Sequence, residues 1–439
     1  MITKLQEIFS IPELKRRVLF TIALLIVYRV GGHITTPGVD ATVITGFFAG
    51  QKGTIFALYD LFAGGNLEKA TIFALGIMPY ISASIILQLF QAVIPYFEKL
   101  AKEGEEGRKK ITQYTRYGTV ILSAIQAFGI AIFLENLRGP AGEAAVMFPG
   151  MGFRLLTILT LTSGTVFVMW LGEQISERGI GNGISLIIAI GIIARYPTDM
   201  LNTWREITLG QMSPFRLAIL LVIMAGIIAG IIFVTQGQRR IPVQYAKRVV
   251  GRKIYGGQAS HIPLGVNIAG VIPIIFAQSL IMFPGTLAAF FKNLAFMQTI
   301  SMILQPGAPV YIILYSVIIV FFTYFYTAIV FNPVDVADNM KKSGGFIPGI
   351  RPGKRTAEYI DRVLSRITLP GAIFLAFIAV LPDILMKPTV LNAPFYFGGT
   401  GLLIVVGVTL DTLRQIESHL LMRHYEGFVK HGRLRGRRG

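Results

Sequence analysis

The sequence predicts an all-α polytopic membrane protein of ten transmembrane helices in two inverted five-helix halves. Three observations predict it: the composition, ten apolar runs of membrane-spanning length, and the uneven distribution of basic residues among the loops. Of the 439 residues, 53% are apolar and only 15% charged, against about 25% charged in ordinary soluble domains. Mean hydropathy is +0.63. A single soluble core stops growing near roughly 250–300 residues, so a soluble enzyme of this composition is excluded, as is a disordered chain. The absence of cysteine excludes a disulfide-stapled scaffold and a thiolate metal site.

A helix needs about 20 mostly apolar residues to cross the hydrocarbon. Ten such runs occur, at 18–34, 71–95, 115–137, 152–171, 182–196, 214–235, 264–291, 309–331, 368–385 and 395–413. Lipid offers no partners to backbone amides, and the weak alternation of an outer-membrane barrel is absent, so the runs read as helices. The first lacks a small-residue cleavage site and carries Arg29 near its far end, which marks a span and not a cleaved signal. The loop after it holds an apolar stretch at 55–62 followed by Gly64-Gly65. That stretch is too short to cross. It lies on the interface or re-enters a protein-lined cavity, the interfacial reading being the commoner one. Spans two to four follow, and 172–181 reads as a short inner loop whose only basic residue is Arg178. The run GIGNG at 179–183 gives the chain conformational freedom before span five. It is no dinucleotide fingerprint, since it lacks the last glycine and follows no strand.

Span five is joined to span six by an outside linker at 197–213. The chain thus divides into halves, 1–205 and 206–439, and five spans being odd, the second half is inverted. In each half the long loop follows the first span, at 37–70 and 236–263, the hydropathy pattern of an inverted repeat with its site between the halves. Loop 236–263 has six basic residues and no acidic one. Loop 332–367 has seven basic residues, and so has the tail after Leu413, which ends RLRGRRG. Placing residues 1–17 in the cytoplasm puts roughly three-quarters of the 41 Lys and Arg on that side. Both termini are then cytoplasmic. The +18 net charge follows from these loops, which attract anionic lipid. Their Gly and Pro content reads as ordered hairpins, surfaces suited to a large acidic partner.

Mid-span charge is almost nil. Arg29, Glu135 and Asp411 lie near span ends, where snorkelling accounts for them. The interior polar groups are mild, namely Ser82, Ser84, Gln88, Gln91, Gln126, Gln278 and Ser279, and interhelical hydrogen bonding is their ordinary role. An ion-coupled pump needs a titratable partner on the path, so the pattern fits a conduit that does not bind its cargo tightly. Histidines 33, 261, 419, 424 and 431 are scattered, with no His-Glu-x-x-His helix, and no Gly-x-Ser-x-Gly elbow occurs. PGKR at 352–355 is no phosphate loop, having Pro348 where the first glycine belongs. No catalytic activity and no cofactor are expected. A secondary transporter of a small solute is the alternative, on the inverted halves alone. A lipid-modifying enzyme fails for want of a catalytic cluster.

Five strings carry a resemblance: GIMPYISASI at 76–85, LGEQISERGIGNGIS at 171–185, GQRRIPVQYAKR at 237–248, KSGGFIPGIRPG at 342–353 and FYFGGT at 395–400. In type and order the chain resembles the SecY family, the central subunits of the bacterial Sec translocase, over nearly its whole length. The resemblance implies an inner-membrane, protein-conducting channel with a central hourglass pore. Such a channel passes unfolded secretory polypeptides and releases transmembrane segments sideways into lipid. It implies a pore ring of Ile77, Ile81, Ile184, Ile188, Ile275 and Ile404. It implies a plug at 55–65, carried by Ile55, Leu58, Leu61, Phe62, Gly64 and Gly65, in place of the interfacial reading. A lateral gate between spans two and seven takes in Ser82, Gln88, Gln126, Gln278, Ser279 and Phe283. Contacts to a SecA motor or the ribosome fall on Arg239, Arg240, Lys247, Arg248, Arg252, Lys253, Arg351, Lys354 and Arg355. Implied partners are the small subunits SecE and SecG, the SecA ATPase, the ribosome, and preprotein and signal-peptide substrates. A collar of isoleucines suits the role, because branched aliphatic side chains hold nothing and gate ions by dewetting.

Overall fold

A computed structural model of the chain describes residues 11–49, 54–139, 142–210, 212–245, 248–250, 253–255, 259–290, 295–385 and 399–431. The contacts divide it into two compact units. The first comprises Met1–Asn202, Met282–Met302 and Ile404–Gly439; the second, Thr203–Ile281 and Ile303–Leu403.

The first unit opens with α1 (Pro12–Gly31), then two short helices, α2 (Ala41–Ala49) and α3 (Ile55–Ala63). The second predicted span is helical only over α4 (Met78–Val93). Residues 71–77 form tight turns instead, with Gly76 at φ +56° and amides of Ala74 and Gly76 bonded three residues back. Pro95 then forces Ile94 into extended backbone (φ −99°, ψ 117°), and α5 (Pro95–Lys102) leaves at 97° to α4. Next come α6 (Glu105–Asn136) and α7 (Met151–Arg178). The predicted inner loop 172–181 is therefore mostly helix. Gly172 and Ile175 continue the buried stripe of α7 while Glu177 and Arg178 stay exposed.

The fifth span is α8 (Gly183–Ile193), only 11 residues, and α9 (Tyr196–Thr208) follows it directly. The predicted linker is thus largely α9, an amphipathic helix exposing Met200, Leu201 and Trp204. The GIGNG turn is held and not slack. Ile180 donates its N–H to Thr21 Oγ1 (3.0 Å), and Gly181 donates to Gln415 Oε1 (2.9 Å). Asn182 caps α8 by accepting from the Ser185 N–H. A Cβ on Gly183 would lie 2.0 Å from the Gly172 carbonyl oxygen, so the turn needs its glycines.

The second unit begins with the remainder of α9 and α10 (Pro214–Gln236). The basic loop that follows is stranded: β1 (Gln238–Tyr245), β2 (Arg248–Val250), β3 (Lys253–Tyr255) and β4 (Ala259–Gly265), with β2 and β3 paired antiparallel as a separate two-stranded ribbon. Span seven starts eight residues later than the hydropathy suggests, at α11 (Ile272–Phe290), because Leu264 belongs to β4. After α12 (Ala295–Ile303) come α13 (Pro309–Val330), α14 (Pro333–Lys342), β5 (Gly345–Phe346), α15 (Lys354–Leu385) and α16 (Gly399–His431). β1 pairs antiparallel with β4 over its length and with β5 at Gln244↔Phe346 and Tyr245↔Gly345. The two basic loops therefore share one sheet and one core, of Ile241, Val243, Leu264, Met340, Ile347 and Ile360.

Among the described residues, α6, α7, α8 with α9, α10, α13 with α14, and α15 are long and apolar enough to cross a membrane. The bent α4–α5 pair makes a seventh, and α1, α11 and α16 occupy the other predicted runs. Residues 395–398, which begin the tenth run, lie outside the described residues. Proline stands in the first turn of α1, α4, α5, α10, α13 and α14, where its missing N–H leaves nothing unsatisfied.

Candidate functional site

The α3 helix, within an extramembrane loop by the topology reading, is buried along its length. Ile55, Phe56, Leu58, Tyr59, Asp60, Leu61, Phe62 and Ala63 all lie inside the first unit, whereas an interfacial helix would leave one face uncovered. Its end is shaped by the glycine pair. Gly64 and Gly65 take φ +76° and +79°, a region costly for any residue with a Cβ. Gly65 donates its N–H to the Asp60 carbonyl (2.8 Å), which closes the helix.

Neighbours hold α3 at both ends. Near its start, Phe56 stacks on Phe133 of α6 with ring centroids 5.0 Å apart, and Phe47 and Phe48 of α2 meet Phe56 edge-on. Tyr59 donates its hydroxyl to the Leu75 carbonyl (3.3 Å), just before Ile77. At its end, the Tyr28 hydroxyl donates to the Ala63 carbonyl and Arg29 Nη1 to the Gly64 carbonyl, each at 3.3 Å. Asn66 donates to the Tyr28 hydroxyl (3.1 Å) and to the Ala63 carbonyl. Arg29, placed by the sequence at a span end, thus has a specific partner there. Gly64 crosses Gly191 of α8 so closely that a Cβ on either would lie 2.9 Å from the other's Cα.

Asp60 is 1% exposed and makes an ion pair with Arg195, which stands between α8 and α9, at 2.8 Å. Its other oxygen accepts the Glu68 N–H (2.8 Å). Sequence reasoning passed over this pair. Its signal was an acid alone in the apolar run IFALYDLF and an arginine closing GIIAR, each of which needs a partner once buried.

The six isoleucines singled out above divide between the units. Ile77 precedes α4 as its cap and Ile81 lies one turn in. Ile184 and Ile188 lie one turn apart on α8, Ile404 on α16, all in the first unit, with Ile275 on α11 in the second. Five are nearly fully buried. Ile184 is half-buried and reaches toward Gly172 of α7, where a Cβ would come within 3.1 Å of its Cγ1. The first unit thus brings α3 against α8 and the segment leading into α4, two of the elements that carry these isoleucines.

Of the polar residues on the predicted lateral gate, Ser82 is buried on α4, and Gln88 donates to Ser84 one turn away (3.2 Å). Gln126 is buried on α6. Gln278 and Ser279 are buried on α11, and Phe283, further along it, is half-buried. On the sheet, Arg239 and Arg240 are exposed on β1, and Arg351, Lys354 and Arg355 are exposed beyond β5. Gly349 and Gly353, at φ +80° and +102°, frame the turn bearing Arg351, whose carbonyl accepts the Thr356 hydroxyl (3.0 Å). Arg248 opens β2 and Lys253 opens β3. Lys247 and Arg252 lie outside the described residues. The described residues contain no group of His, Asp and Glu able to hold a metal.

Residues 71–413 match the family model described as SecY. The protein translocase subunit SecY of Escherichia coli (strain K12) is 49% identical, over 97% of this chain and 96% of its own length. The chain belongs to the SecY family. Among solved structures, a protein-conducting channel shares the SecY fold at TM-score 0.65 and 19% identity, covering 92% of each chain. Sec61 in the canine ribosome–channel complex from the endoplasmic reticulum shares it at TM-score 0.60 and 17% identity, again over 92% of each. The family model begins at Thr71, after α3, while the Escherichia coli relative aligns over 97% of the chain and so takes in α3 as well.

Proposed function

We propose that this chain is the pore subunit of a protein-conducting channel. It passes unfolded polypeptides across the bacterial inner membrane and yields apolar segments sideways to lipid. Membership of a family of protein translocase subunits supports the transport reading. The observation that carries the mechanism is the burial of α3, which we read as a short plug seated against elements that bear the isoleucines of the implied ring. When α3 leaves, the collar remains: it closes around an extended chain without hydrogen-bonding it and stays dry to ions. A segment between α4 and α11 partitions by its own transfer free energy, so the gate, with Ser82, Gln88, Gln126, Gln278, Ser279 and Phe283, needs only to give access.

The sheet carrying Arg239 and Arg240, with the Arg351 turn beside it, forms a basic platform for a SecA-type motor or the ribosome. The ribosome-bound canine relative supports the latter. Small subunits of the SecE and SecG kind complete the assembly, with both termini in the cytoplasm and anionic lipid against the basic loops.

The test is reconstitution with the small subunits in ion-tight vesicles. Motor, ATP and an unfolded precursor are expected to give protease-protected precursor, with no solute uptake in its absence. Solute accumulation without precursor, and no protection with it, would support the transporter reading instead.

A further inference from the structure

The single acid of α3 stands where an apolar side chain would pack at no electrostatic cost. Asp60 is 1% exposed, while the Arg195 side chain bonded to it at 2.8 Å is 28% exposed. The side-chain hydrogen bonds that Tyr28, Arg29 and Asn66 make to the end of α3 run to backbone carbonyls, and the Glu68 N–H reaches the other Asp60 oxygen. The ion pair is a side-chain contact that ties α3 to the α8–α9 junction, from which Gly191 is four residues away.

We propose that Asp60 and Arg195 form an electrostatic latch that keeps α3 seated, with Arg195 a positioning residue for the closed channel. The proposal rests on the reading of α3 as a plug. Its physics is asymmetric. With α3 seated, Asp60 is dry and needs a counter-charge. With α3 displaced, Asp60 regains water, and Arg195, already partly wet, needs no partner. Removing the arginine therefore takes the paired counter-charge from Asp60 in the seated state alone, leaving it backbone N–H groups and the weaker influence of Lys69, and favours release. Removing the acid instead leaves a cation that reaches solvent, and an asparagine still accepts the Glu68 N–H. The latch thus predicts a rescue: Asp60→Asn should repair Arg195→Gln.

The experiment measures ion leak through the full chain, assembled with its small subunits in ion-tight vesicles, without motor or cargo. Arg195→Gln should raise leak at least about tenfold. Arg195→Lys should stay near the parent. Asp60→Asn and the double variant Asp60→Asn/Arg195→Gln should both fall within about threefold of the parent. A double variant as leaky as Arg195→Gln, or an Arg195→Gln channel as tight as the parent, would overturn the latch. If Arg195→Gln fails to accumulate, Asp60→Asn and the double variant carry the test: equal leak supports the latch and a tenfold gap overturns it. A further variant with residues 55–63 replaced by a Gly-Ser linker separates the two readings. If it leaks while Arg195→Gln does not, the plug stands and the latch falls; if it is as tight as the parent, the plug reading itself fails.

Discussion

Gly64 and Gly191 show how narrow the tolerance around α3 is. Each approaches the other's Cα so closely that a methyl group on either has no room. The backbone at Gly191 is helical, so Gly191→Ala tests steric fit alone, without the φ penalty that Gly64→Ala would add. The substitution is expected to push α3 off α8 and raise ion leak in reconstituted channels while α8 stays helical by circular dichroism. A second residue-scale expectation concerns the proposed collar. Replacing Ile81 and Ile275 together with glycine should leave a channel that assembles but conducts small ions, because the constriction becomes wide and wettable; conductance equal to the parent's would mean the ring is misassigned. At this scale the sequence was legible where a residue acts through its own backbone or bulk. Gly64-Gly65 bounded the short apolar stretch that forms α3, whereas the break at Pro95 lay hidden inside the second apolar run, which extended through it. It was opaque where a residue acts through a distant partner: Asp60 and Arg195 are 135 positions apart, and no periodicity links them.

Elements reach further than their apolar runs. α6 begins ten residues before its predicted span, α7 continues seven beyond, and α15 begins fourteen before. A hydropathy window registers the part of a helix that lipid must accept and is blind to turns that continue into water. The polar ends have work of their own: Arg116 and Glu173 pair at one end of the α6–α7 hairpin (2.8 Å), Glu135 and Arg154 at the other (2.7 Å). The basic loops were legible as ordered hairpins from their Gly and Pro. That they form one sheet was not, since β1 and β5 are about a hundred residues apart in the chain. Ile360, fully buried on α15 beneath that sheet, supports both. Ile360→Ala should cost about 2–5 kcal/mol of local stability. It should expose the loops to limited proteolysis and weaken ribosome co-sedimentation, with ion leak unchanged. Arg351→Glu should sharply lower ATP-driven export at limiting motor concentration without loosening the loops, because it reverses a surface charge and leaves Ile347 and Ile360 packed.

For the whole molecule, the charge bias makes a checkable statement about orientation. The chain has no cysteine, so single cysteines report cleanly. One at Ser343, exposed after α14, should react with an impermeant thiol reagent only from the cytoplasm, and one at Phe148, exposed before α7, only from outside; reaction of Ser343→Cys in sealed cells would refute the topology. The predicted halves were cut in sequence order, at 205, whereas the first compact unit takes back 282–302 and everything from Ile404. Hydropathy counts spans along the chain, but packing decides which spans share an interior. This has a consequence for birth. Domains made on a ribosome ordinarily close in order, N-terminal first. Here Gln415 supplies the acceptor for Gly181, and Ile416 and Leu420 pack with Leu14 and Ile180. The unit that starts synthesis is therefore the last to be completed, and the end built from Leu14 and Ile180 stays unfinished until α16 has emerged. A nascent chain halted at residue 403 would contain every residue of the second unit, yet leave the first without its closing helix. Quality control that reads exposed apolar surface should seize that intermediate and spare the chain only once Gln415, Ile416 and Leu420 have emerged.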